Sequence, residues 1–95
     1  MAGYLIVKLT FHDLGWARDY LANVPAMVAA HGGEYLARST EVAWIEGEGA
    51  LPDQVVILRF PSLQAIREFM ASPEYAPFRD ARIAATDSEI LALEG

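Results

Sequence analysis

Apolar and polar positions along this chain fall into blocks whose period changes several times. Residues 4–11, Tyr-Leu-Ile-Val-Lys-Leu-Thr-Phe, are short and rich in β-branched and aromatic side chains, which predicts a strand. Tyr4 and Ile6 fall on one face, and Leu5, Val7, Leu9 and Phe11 on the other. Asp13 is placed to cap a following helix, in which Trp16, Tyr20, Val24, Met27 and Val28 recur three to four residues apart. Pro25 lies inside this pattern and lacks a backbone donor, so a kink is expected there. Gly32-Gly33, directly after His31, is a helix stop.

Residues 34–40 predict a second strand, with Tyr35, Ala37 and Ser39 on one face and Glu34, Leu36 and Arg38 on the other. Residues 42–45, Val-Ala-Trp-Ile, extend it as strand or hairpin arm. Glu46 to Asp53 contains Gly47, Gly49 and Pro52 and predicts a loop, either a plain connection or a lid over a pocket. Residues 54–60, Gln-Val-Val-Ile-Leu-Arg-Phe, predict a third strand. Ser62 caps a helix with Leu63, Ile66, Phe69 and Met70 as its apolar stripe. Ser72-Pro73 interrupts it, a further helix runs from about residue 73 to 85, and residues 88–93 form a last strand.

The order is β-α-β-β-α-β with an extra hairpin arm, the α+β arrangement of the ferredoxin-like split βαβ pattern. Helices cover one face of such a sheet, and the other is normally polar. Here the outer face is apolar whichever parity applies, since it takes Tyr4 and Ile6, or Val55 and Ile57, or Ile90 and Ala92. An uncovered apolar face of this size predicts association, and two sheets packed face to face give a homodimer.

Ninety-five residues make a single domain, 1–95, and 54% apolar content excludes a disordered chain. The net charge of -6, with basic residues scattered singly, argues against nucleic acid and anionic membrane surfaces as partners. The absence of cysteine removes disulfides, thiolate nucleophiles and Cys-based zinc sites. With no apolar run of transmembrane length and no basic start before the first apolar run, the expectation is a cytoplasmic protein.

The candidate chemistry is sparse. His12, between the first strand and helix, is either a general base or a loop histidine. His31, in the last helical turn, fits a capping role beside the helix dipole. A helix of roughly 17 residues, about 25 Å at about 1.5 Å per residue, separates the two, so one subunit does not bring both to one metal ion. Arg38 and Arg59 stand alone in apolar strands, where they either hold a carboxylate or enolate or bridge to nearby glutamates. Arg82, in the helix before the last strand, suggests a bridge to Glu74, Asp87 or another acid. Tyr4, Tyr35, Trp44 and Tyr75 either line an aromatic pocket or belong to the core, and Trp16 and Tyr20 read as core.

Several stretches resemble the domain-of-unknown-function 1330 family of the dimeric α+β barrel superfamily: Gly3-Tyr4-Leu5-Ile6, Gly32-Gly33-Glu34-Tyr35-Leu36-Ala37-Arg38, Glu46-Gly47, Phe60-Pro61-Ser62, Ser72-Pro73-Glu74-Tyr75 and Leu93-Glu94-Gly95. The chain departs from that pattern at Arg59, at Asp53-Gln54 and at His31. The resemblance implies a ferredoxin-like subunit that pairs into a barrel, with a pocket between sheet and helices. The wider superfamily includes cofactor-free monooxygenases, haem enzymes, small isomerases and ligand-sensing domains. Its haem-degrading members resemble one another in an asparagine on the first strand, whereas the one asparagine here, Asn23, lies in the first helix, so no cofactor is expected.

Two functions follow as expectations. The first is a cofactor-free enzyme or binder acting on a small anionic or aromatic molecule. In it Arg38 anchors the anion, Arg59 assists, His12 is the base, and Tyr35 and Trp44 are walls. The second is a non-catalytic ligand-sensing or assembly module in which the dimer face is the function.

Overall fold

The computed structural model describes residues 1–95. Its elements are β1 (Gly3–Phe11), α1 (Ala17–Ala30), β2 (Glu34–Ser39), β3 (Gln54–Phe60), α2 (Leu63–Met70), α3 (Ala76–Ala85) and β4 (Thr86–Glu94). The four strands form one antiparallel sheet in the order β2-β3-β1-β4. This is the expected ferredoxin-like α+β subunit, with the second helical segment split into α2 and α3 around Ser72-Pro73.

Register fixes the faces. Leu5, Val7 and Leu9 stand opposite Leu58, Val56 and Gln54 on one side and Ala92, Ile90 and Ser88 on the other, all facing the helices. Tyr4 and Ile6 pair with Arg59 and Ile57, and with Leu93 and Leu91, on the outer face. The outer set on β4 is therefore Leu91 and Leu93; Ile90 and Ala92 face the helices. The core is one cluster in which Leu5, Val56, Leu58 and Phe60 of the sheet meet Val24 and Val28 of α1, Ile66 and Phe69 of α2, and Tyr75.

Three local expectations are corrected. Asp13 does not cap α1: Trp16 occupies the cap position without a side-chain bond, and its Nε1 donates to the Asp13 carbonyl at 2.7 Å. Residues 42–45 form no strand, because the segment between β2 and β3 is irregular and is tied down at its end by Asp53, whose Oδ2 accepts from the Phe11 backbone N–H at 2.9 Å. Strict alternation along β2 fails at a bulge: Tyr35 pairs with Leu58 but Ala37 with Ile57, so Leu36 is the extra residue. Beyond the bulge the parity reverses, and Arg38, opposite Val56, joins Tyr35 on the helix-facing side.

α1 runs through Pro25 without a break and ends in a Schellman motif. The Gly33 N–H donates to the Val28 carbonyl (2.9 Å) and the Gly32 N–H to the Ala29 carbonyl (3.0 Å). Gly32 has φ +77°, which favours glycine. A Cβ on Gly33 would lie 2.7 Å from both Phe60 Cε2 and Val28 Cγ1, so this glycine lets α1 pack directly onto β3. Ser62 caps α2 as expected, its Oγ accepting from the Ala65 N–H at 3.0 Å. No helix is long and apolar enough to cross a membrane.

Candidate ligand-binding site

A cavity of about 240 Å³ lies between the helix-facing side of the sheet and the helices. Its walls are Leu5, Val7, Leu9, Val56 and Leu58 from the sheet, with Val24 and Val28 from α1. Seventeen of its twenty lining residues are hydrophobic. The ionisable ones are Tyr20, Tyr35, Arg38, Tyr75 and Arg82; none is a carboxylate, lysine or histidine.

The tyrosines belong together. Tyr20 Oη and Tyr75 Oη are 2.6 Å apart, and Tyr75 stacks on Phe69 with ring centres 4.4 Å apart. Burial pushes the Tyr20 phenol well above its ordinary range, and the neighbouring Tyr75 adds to this by charge and hydrogen bond, while Arg82 opposes it. Tyr35 is pushed up as well, by burial first and Tyr75 next, with Arg38 opposing. Both phenols therefore stay protonated at neutral pH and act as donors.

The arginines fall into two kinds. Arg38 lines the cavity at an exposed position and makes no ion pair. Arg59 lies outside the cavity, on the outer face, where its Nη1 is 3.4 Å from Glu34 Oε1. The expected bridge from Arg82 to an acid is absent. Arg82 is 3% exposed, its Nη1 donates to Ser88 Oγ at 2.8 Å, and its Nε has no partner.

Other candidates lie away from the cavity. His12 follows β1, and its Nε2 is 3.0 Å from Asp87 Oδ1. His31 packs edge-on against Phe69 at the end of α1. Trp44 is half-exposed in the β2–β3 connection, where its Nε1 donates to the Gly49 carbonyl at 2.9 Å. No three His, Asp or Glu side chains cluster in a way that could hold a metal ion. The cavity instead gathers Tyr20, read from the sequence as core, Arg82, read as ion-paired, and Tyr75, left between pocket and core. The Tyr20–Tyr75 contact joins residues 55 apart in the chain, which helical spacing does not reveal.

The fold is similar to that of a protein of unknown function from Rhodopseudomonas palustris (TM-score 0.81, 19% identity, covering 99% of this chain and 82% of the other). It is also similar to SnoaB, a cofactor-independent oxygenase from Streptomyces nogalater (TM-score 0.70, 18% identity, 99% and 92%). A third similar structure is a dimeric protein of unknown function and ferredoxin-like fold from Bacteroides fragilis (TM-score 0.66, 10% identity, 99% and 96%). Identities this low establish shared fold and leave the chemistry to the site. No curated protein matches the sequence. The family model for Domain of unknown function (DUF1330) matches residues 2–95, and the chain belongs to that family.

Proposed function

We propose that this chain binds a small, largely apolar or aromatic anion in the cavity between sheet and helices, and that it works as a homodimer of the cofactor-free enzyme type. One observation carries the reading: in a chain of net charge -6, the cavity is lined by two arginines and no carboxylate. An arginine without a counter-charge in an apolar setting favours an anion brought by a ligand.

The size is suitable. An apolar cavity of about 150 Å³ takes up benzene, so one of about 240 Å³ suits a substituted ring or a fused bicycle. Arg38 and Tyr35, brought to one face by the β2 bulge, are ligand-binding residues in this reading. Trp44, Arg59 and His12 do not reach the cavity and have no part in it. Because its phenols are protonated, the site stabilises a negative oxygen rather than abstracting a proton. The shared fold with a cofactor-independent oxygenase supports the enzymatic form of the reading.

The dimer is proposed from the outer sheet face. Tyr4, Ile6, Val55, Ile57, Leu91 and Leu93 form a continuous apolar surface, with Leu91 48% and Leu93 45% exposed. A dimeric protein of the same fold supports pairing, and the exposed apolar face is the surface that association would cover.

Calorimetric titration with 2-naphthoate and its neutral analogue 2-naphthalenemethanol tests the binding claim. The expected result is one saturable site per subunit for 2-naphthoate, with at least tenfold weaker binding of the alcohol. Equal binding of the two, or no saturable binding of either, would overturn it.

A further inference from the structure

Arg82 is held in place by a closed ring of hydrogen bonds. Its Nη1 donates to Ser88 Oγ at 2.8 Å, and Thr86 Oγ donates to the Arg82 carbonyl at 2.7 Å. Thr86 has spent its one hydrogen on that carbonyl, so in the 2.6 Å contact between Thr86 Oγ and Ser88 Oγ the donor is Ser88. Both hydroxyls are thus committed to fixing a buried guanidinium that no carboxylate neutralises. A plain structural arginine is normally paired when buried.

The tyrosine pair has a matching surplus. Tyr20 and Tyr75 carry two hydroxyl protons between them but share one hydrogen bond, which leaves one proton without an acceptor. This end of the cavity therefore offers donors and positive charge. The groups facing it are Tyr20 from α1, Tyr75 from the turn before α3, Arg82 from α3, and Tyr35 and Arg38 from β2.

We propose that Arg82 and the Tyr20–Tyr75 pair form an oxyanion receptor for a single ionised oxygen, a phenolate or enolate, with Thr86 and Ser88 as its positioning residues. The proposal rests on the reading that the cavity binds ligand, and it assigns the oxygen's chemistry. A single oxygen fits better than a carboxylate. Nε is sealed from solvent without a partner, so the Nε–Nη2 edge does not clamp both oxygens of a carboxylate, and Nη1 has already given one of its two N–H groups to Ser88. The tyrosine pair contributes one free O–H. The ligand's own proton, lost on ionisation, passes to bulk water.

The test uses 4-nitrophenol, whose phenolate is yellow and whose ionisation lies near neutrality. Its pKa is read by absorbance in buffer and when bound to the intact protein. The receptor lowers the bound pKa by at least one unit, a tenfold preference for phenolate. Arg82→Gln abolishes most of that shift, and Ser88→Ala, which frees the guanidinium, reduces it. An arginine that merely supported the fold would change thermal stability and leave the dye's pKa unmoved. A bound pKa that is unchanged or raised overturns the receptor while leaving cavity binding intact. So does 4-nitrobenzoate binding as tightly as 4-nitrophenolate. No binding of any of these aromatic probes overturns the cavity reading itself.

Discussion

Tyr20 and Tyr75 lie 55 residues apart in the chain and bring their hydroxyls to 2.6 Å at the polar end of the cavity. The bond ties the first turn of α1 to the turn that opens α3. Tyr75 is 2% exposed, so a partner removed from it leaves a buried hydroxyl unsatisfied. Tyr20→Phe is expected to cost about 1–2 kcal/mol on that ground. The double variant with Tyr75→Phe removes both polar groups and costs less than the sum of the singles. Urea unfolding of the four proteins measures this; simple additivity would mean that the two hydroxyls do not depend on each other.

The same pair gives stability a pH dependence on the alkaline side. The folded-state pKa of Tyr20 is raised above its ordinary value of 10.0, chiefly by burial. Below about pH 10 the phenol is protonated in both folded and unfolded chains and contributes no slope. Above it the unfolded chain releases its proton first, so stability falls as pH rises. Denaturant midpoints are expected to be insensitive to Tyr20 from neutrality to about pH 10 and then to decline, with a shallower decline in Tyr20→Phe. An equally steep decline in that variant would assign the alkaline loss to other groups.

At the end of α1, Gly33→Ala places a methyl 2.7 Å from Phe60 Cε2 and Val28 Cγ1. Both neighbours are core residues with 1% exposure, which leaves them little room to move. The expected loss is about 1–3 kcal/mol, the range for overpacking. Thermal unfolding reads it directly, and an unchanged midpoint would mean that α1 shifts freely over β3.

The outer face is tested by Ile57→Arg. Ile57 pairs with Ile6 and Ala37, all pointing away from the helices, so the arginine leaves the subunit core untouched. The variant is expected to keep its circular dichroism spectrum and to sediment as a monomer, where the unaltered chain sediments as a dimer. A wild-type monomer would refute the proposed pairing.

Much of the fold was legible because periodicity reports which face of an element is buried. The alternation of Leu5, Val7 and Leu9 against Tyr4 and Ile6 placed β1 correctly, and Gly32-Gly33 marked the end of α1. The β2 bulge was not legible. Leu36 continues an apparent alternation, so nothing local signals that Arg38 changes faces. Trp44 and Ile45 look like strand residues, but their segment pairs with neither open edge of the sheet, β2 or β4, and stays exposed, with Trp44 bonded within its own loop to the Gly49 carbonyl. Of the residues that line the candidate cavity, Arg38 and Tyr35 stood out in the sequence as ligand-binding candidates and Arg82 did not. An arginine with Glu74, Asp80 and Asp87 near it in the sequence suggests ion pairing, and its lack of a carboxylate is a fact of tertiary geometry.

The chain has two apolar surfaces that an aromatic anion could occupy, the cavity and the outer sheet face, and binding in the cavity is the central claim. Methyl NMR spectra recorded during a titration with 2-naphthoate separate them most directly. The account predicts shifts at Val7, Val24 and Val56, which line the cavity. Shifts confined to Ile57, Leu91 and Leu93 would contradict it.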